Sequence, residues 1–118
     1  MKKRIELDAD PEYWKLSKAE KKAICNGAGP RRFGWLVPDW ILLVCITEAA
    51  NIHDYDYSKG GNGRDKQNTD LRFLVNMTRI ILGKNKWEWL TKKRIEIAVG
   101  YYEAVRACGG RWFKGELI

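Results

Sequence analysis

Three features of this chain predict a single, mostly α-helical domain. Its 118 residues allow one domain (1–118) and leave no room for a second. Apolar side chains recur at helical spacing in the second half, at Phe73, Leu74, Met77 and Ile81 and again at Ile97, Ala98, Tyr101 and Val105. Glycine clusters separate the candidate helices, and no strand alternation runs for more than a few residues. The composition, 45% apolar and 31% charged, excludes a disordered chain.

Asp10-Pro11 reads as a cap followed by proline at the first helical position, opening a short turn around Tyr13 and Trp14. Ser17-Lys18-Ala19-Glu20 has capping-box spacing and starts a helix to about Ile24, which Asn26-Gly27-Ala28-Gly29-Pro30 stops. Arg31 to Val44 is irregular, interrupted by Gly34 and Pro38. Thr47 is the expected cap of a helix over Glu48 to Ser58, ended by Gly60-Gly61. Lys59 to Asn68 reads as a polar loop, after which Asn68 or Thr69 caps a helix with Asp70 in its first turn and Gly83 at its close. The last helix is expected from about Trp87 to Cys108, with Cys108 on its inner face.

Charge and cysteine usage narrow the setting. Lys and Arg exceed Asp and Glu by 22 to 15, a net charge of +7 that suits an anionic partner, nucleic acid or membrane, or simple solubility. The longest apolar run, Trp40 to Ile46, is too short to cross a bilayer. Glu6, Asp8 and Asp10 occupy the place where a signal peptide needs apolar residues, so a chain cytoplasmic as synthesised is expected. Cys25, Cys45 and Cys108 are odd in number and suggest reduced thiols. Six tryptophans are many for this length, and Trp favours both cores and membrane interfaces.

His53 is the only histidine, so any histidine chemistry must use it. On a helix it shares a face with Tyr57, four residues on, while Asp54 points about 100° away. Antiparallel packing against the next helix can bring Asp70 to the imidazole, where a carboxylate fixes the tautomer and leaves the other ring nitrogen as a base. A bare His-Asp pair is more often a partly exposed histidine on a helix with solvated aspartates. Asn26-Gly27-Ala28-Gly29, with its carbonyls, and one carboxylate such as Asp54 fit a hard-cation site, calcium above all; helix termination alone also accounts for those glycines.

Taken together these residues resemble the phospholipase A2 superfamily, closest to its small phage and bacterial members. His53-Asp54-Tyr55-Asp56-Tyr57 matches its His-Asp-x-x-Tyr signature, and Asp70-Leu71-Arg72-Phe73 its later Asp-x-x-Phe. Asn26-Gly27-Ala28-Gly29, Pro38-Asp39 and Glu48-Ala49-Ala50-Asn51 follow its remaining motifs in order, so the resemblance covers about Tyr13 to Ile81. It implies two antiparallel catalytic helices, a calcium loop and a long C-terminal helix. Ala28 and Ala50 stand where the family has cysteines that bridge loop and helix, which suits a reducing compartment. Arg31 stands where secreted relatives have a glycine.

What the resemblance implies is calcium-dependent hydrolysis of the sn-2 ester of glycerophospholipids. His53 would be the base, Asp70 would orient it, and Tyr57 would hold Asp70. Asp54 and the carbonyls of Gly27, Gly29 and Arg31 would hold Ca2+. Trp35 and Trp40, with Arg31 and Arg32 nearby, would form a rim toward a phospholipid surface, preferably anionic. Delivery by a phage particle, lysis or a specialised secretion system would bring the chain to its membrane. The alternatives are an inactive lipid-binding protein on the same scaffold and a basic helical nucleic-acid module using Lys92, Lys93 and Arg94, though a charged run is usually a solvated face and no specific nucleic acid is expected.

Overall fold

The computed structural model describes residues 6–26, 40–84, 87–109 and 113. Among these, five helices and one two-stranded sheet follow one another: α1 (Pro11–Trp14), α2 (Lys18–Asn26), β1 (Trp40–Ile41), β2 (Val44–Cys45), α3 (Thr47–Lys59), α4 (Gly63–Gly83) and α5 (Glu88–Cys108). The protein is mostly α-helical, and no described helix is long and apolar enough to cross a membrane.

Local signals explain most boundaries. Ser17 and Glu20 form the expected reciprocal cap on α2, each accepting the other's backbone N–H at 3.1 and 3.0 Å. Gly60 ends α3 with φ of 72°, a conformation that glycine takes without a Cβ penalty. Asp10 does occupy the cap position of α1, but its side chain caps nothing and bonds Lys59 and Arg72 instead. Thr47 is the first residue of α3, with Ile46 at the cap and no side-chain cap bond; the Thr47 hydroxyl lies 3.1 Å from the Cys45 thiol.

The largest correction concerns α4. It begins at Gly63, inside the stretch expected to be a loop, because Asn62 and Asp65 form a capping box with bonds of 2.9 and 3.0 Å. Such a cap is worth roughly 1 kcal/mol, enough to start a helix through a glycine. Asp70 therefore sits two turns inside α4 and not in its first turn. A second correction lies in the region expected to be irregular, where Trp40–Ile41 and Val44–Cys45 pair as an antiparallel hairpin with Ile41 opposite Val44. Cys108 is exposed, since it is the last residue of its helix.

α3 is the central element. Six consecutive residues, Ile52 to Tyr57, are buried, so it has neighbours on all sides. On one side Ile52 and Tyr55 pack with Tyr13 of α1, supported by Leu16 and Ile24. On the other, Ala49, Ala50 and Tyr57 join Phe73, Met77 and Ile81 of α4, Ala98 and Val105 of α5, and Ile41 and Val44 of the hairpin in the main core. Polar clamps hold the outer pieces to this centre. Tyr13 and Lys21 both donate to Glu48 of α3. The buried Asn76 amide donates to the Asp8 carbonyl at 2.8 Å and accepts the Asp8 N–H at 2.7 Å, fixing the N-terminal segment to α4.

Candidate active site

The connection Gly60 to Asn62 turns the chain back on itself, and the contacts between α3 and α4 run in opposite order, Tyr57 to Asp70 and His53 to Asp70 and Phe73. The antiparallel pair thus brings Asp70 under the face shared by His53 and Tyr57. His53 Nε2 lies 2.8 Å from Asp70 Oδ1, and the Tyr57 hydroxyl donates to that same oxygen at 2.6 Å. The imidazole is wedged between two rings, with centroids 4.2 Å from Tyr57 and 4.7 Å from Phe73. His53 is 2% exposed and Asp70 0%, which excludes the partly exposed histidine among solvated aspartates.

The other carboxylate oxygen holds two residues that sequence inspection missed. Lys66 Nζ donates to Asp70 Oδ2 at 2.8 Å and Arg106 Nη1 at 3.2 Å. Lys66 is itself buried, and its ammonium also reaches the carbonyls of Val105 and Arg106 at 3.2 and 3.4 Å, where α5 ends. Asp70 therefore accepts four donors within the protein interior. Burial alone would raise its pKa, but the bonds from His53, Lys66 and Tyr57 outweigh burial and hold the carboxyl below its ordinary range. Tyr57 goes the other way, since burial first and the adjacent carboxylate second keep its hydroxyl protonated and donating. Lys66 is four residues before Asp70, a spacing visible in the sequence once the stretch is known to be helical. Arg106 carried no such signal.

The glycine after α5 completes the enclosure. A Cβ on Gly109 would fall 2.4 Å from the Tyr57 hydroxyl, so only glycine lets the chain pass so close. Phe113 stacks edge-on against the same tyrosine, with centroids 5.1 Å apart.

Asp54 is buried, though it follows His53 and lies off the His53–Tyr57 face. Among the described residues its Oδ2 meets no hydrogen-bond donor, while the residue as a whole is engaged by its surroundings. Among the described residues no three His, Cys, Asp or Glu side chains converge on one point as a metal cage. Gly27, Gly29, Arg31 and Trp35 lie outside the described residues. Trp40 is described and stands 58% exposed on the hairpin. Of the basic run on α5, Arg94 is buried and bonds the Leu42 carbonyl, and Lys93 lies 3.6 Å from Glu96.

A second charge cluster, in which Asp56 is buried and Asp8 exposed, ties the N-terminal segment to the same helix pair. Arg72 donates to Asp56 at 3.1 Å, Asp8 at 3.1 Å and Asp10 at 3.2 Å, and burial pushes the Asp56 carboxyl up to about 6 despite that guanidinium. These residues line a cavity of about 380 Å³ together with Lys59, Asp65 and Thr69. Neither His53 nor Asp70 opens into it.

No family model, curated protein or solved structure matches this chain.

Proposed function

We propose that this protein is a phospholipase A2-like hydrolase that cleaves the sn-2 ester of glycerophospholipids with calcium. One observation carries the reading: a single histidine bonded through Nε2 to a buried, ionised aspartate that a tyrosine also holds. That arrangement leaves Nδ1 as the basic nitrogen of His53. In the proposed reaction Nδ1 takes a proton from a water as its oxygen attacks the ester carbon. The same proton then passes to the departing glycerol oxygen, releasing a fatty acid and a lysophospholipid. Asp70 offsets the positive charge on the imidazole between these transfers, and Tyr57, Lys66 and Arg106 keep that carboxylate in place.

Asp54 as the carboxylate and the backbone carbonyls of Gly27, Gly29 and Arg31 as its companions would offer the oxygen donors that a hard cation takes. Calcium, when bound, would supply Lewis-acid stabilisation of the charge that develops on the ester oxygen. A non-catalytic lipid-binding protein on the same scaffold is the second reading, favoured by the near-complete burial of His53.

The test uses vesicles of a phospholipid with different acyl chains at sn-1 and sn-2, in calcium or in a chelator. Calcium-dependent release of the sn-2 acid alone is expected. His53→Gln should lower it by about 10²-fold or more with helical content unchanged, and Asp54→Asn should weaken calcium binding and hydrolysis together. No release, or release indifferent to His53, refutes the reading.

A further inference from the structure

The hairpin between β1 and β2 has an unusual tip. Its two-residue turn is Leu42-Leu43, and both leucines have positive φ, 41° and 72°. A two-residue hairpin with both central residues in this region is the turn that Asn-Gly or Asp-Gly makes readily, whereas a branched apolar side chain is strained there. The same leucines face solvent, Leu43 being 91% exposed and Leu42 45%. Backbone strain and apolar exposure thus coincide at one point, and neither leucine belongs to the core, where Ile41 and Val44 supply the hairpin's contacts.

The tip is held out firmly. Arg94 grips the Leu42 carbonyl with two donors, Nε at 3.1 Å and Nη2 at 2.8 Å, and the Tyr101 hydroxyl bonds the Trp40 carbonyl at 3.2 Å. These two carbonyls keep their hydrogen bonds if the hairpin leaves water. Its outward side chains are Trp40, Leu42, Leu43 and Cys45, none of them charged. Such a set suits a hydrocarbon surface, and tryptophan favours the membrane interface. The chain carries a net charge of +7, which matches an anionic lipid surface.

We infer that the Leu42-Leu43 turn is a rigid anchor that inserts into the outer layer of an anionic phospholipid membrane. The inference concerns attachment and stands apart from hydrolysis, although it would give the proposed hydrolase its hold on substrate.

Replacing the tip by its favoured turn, Leu42→Asn with Leu43→Gly, tests this. Binding is measured by co-sedimentation, in chelator, with vesicles of phosphatidylglycerol and phosphatidylcholine and with phosphatidylcholine alone. The full-length variant should melt about 4 °C higher or more, because the strain is gone. Its affinity for the anionic vesicles should fall about tenfold or more, because two leucines no longer enter lipid. The single variant Leu43→Asn, which tolerates positive φ, should show the same loss in smaller degree. Unchanged vesicle binding in these variants overturns the anchor, as does a wild-type chain that binds neither vesicle and so leaves the tip to a protein partner. Hydrolysis is scored separately with calcium, so tip-dependent binding without fatty-acid release keeps the anchor and removes the hydrolase, and the reverse result does the opposite.

Discussion

Substituting Lys66 by methionine removes one cation from a fully buried carboxylate. The two side chains are similar in length, so the change deletes charge and hydrogen bonds with little loss of volume. Asp70 is 0% exposed and keeps Arg106 on the affected oxygen at 3.2 Å. Breaking a buried ion pair from one side costs about 3–5 kcal/mol, and the surviving guanidinium points to the lower end, about 3 kcal/mol. The Val105 and Arg106 carbonyls lose their ammonium contacts in the same step. For a chain of 118 residues each kcal/mol moves the melting temperature by about 4 °C, so a fall of about 12 °C is expected. Chemical denaturation of wild type, Lys66→Met, Asp70→Asn and the double variant measures the coupling directly. A coupling of about 2 kcal/mol or more is expected, because once the carboxylate is replaced by a neutral amide the ammonium has no charge to meet. The pH dependence has a definite sign. Asp70 has its carboxyl lowered on folding, so its contribution is complete above the ordinary value of 3.8 and is lost as pH falls through the lower folded value. The Lys66→Met deficit should therefore shrink on acidification below about pH 4. A loss under about 1 kcal/mol at pH 7, or a deficit that grows in acid, would refute the claim that Lys66 stabilises an ionised Asp70.

Two further outcomes are expected. Gly109→Ala places a methyl group 2.4 Å from the Tyr57 hydroxyl and should cost about 1–3 kcal/mol; proteolysis and thermal melts would read it, and an unaffected protein would mean that the chain does not close over Tyr57. Arg72→Met removes the guanidinium from buried Asp56 and should cost about 2–3 kcal/mol at pH 7 but less at pH 5, where a carboxyl pushed up to about 6 takes a proton; equal losses at both pH values, measured by denaturant titration, would contradict it.

Much of this molecule was legible in the residues themselves, wherever the signal was local. The helical stripe Phe73, Leu74, Met77 and Ile81, the Ser17–Glu20 cap and the stop at Gly60 depend on spacing and backbone preference within a few positions, and each lies where that spacing puts it. The grouping of His53, Tyr57 and Asp70 was legible for a similar reason, since a helix aligns His53 with Tyr57 and a tight turn returns the chain beside them. Where two local signals competed, the sequence was ambiguous. The glycines of residues 60–63 suggested a loop, but the Asn62–Asp65 box starts α4 among them, and Lys66 thereby moves from an expected loop to the buried face of a helix. Tertiary structure alone decided what requires distant partners to meet. Arg106 comes to Asp70 from 36 residues away, and Arg72 of α4 joins Asp56 of α3 to Asp8 and Asp10 of the N-terminal segment. Nor can spacing show that α3 is covered on every side, which turns His53, Asp54 and Asp56 from surface charges into buried groups. Burial sets the energy of a charge, and burial is a property of the packed chain, not of the order of its residues.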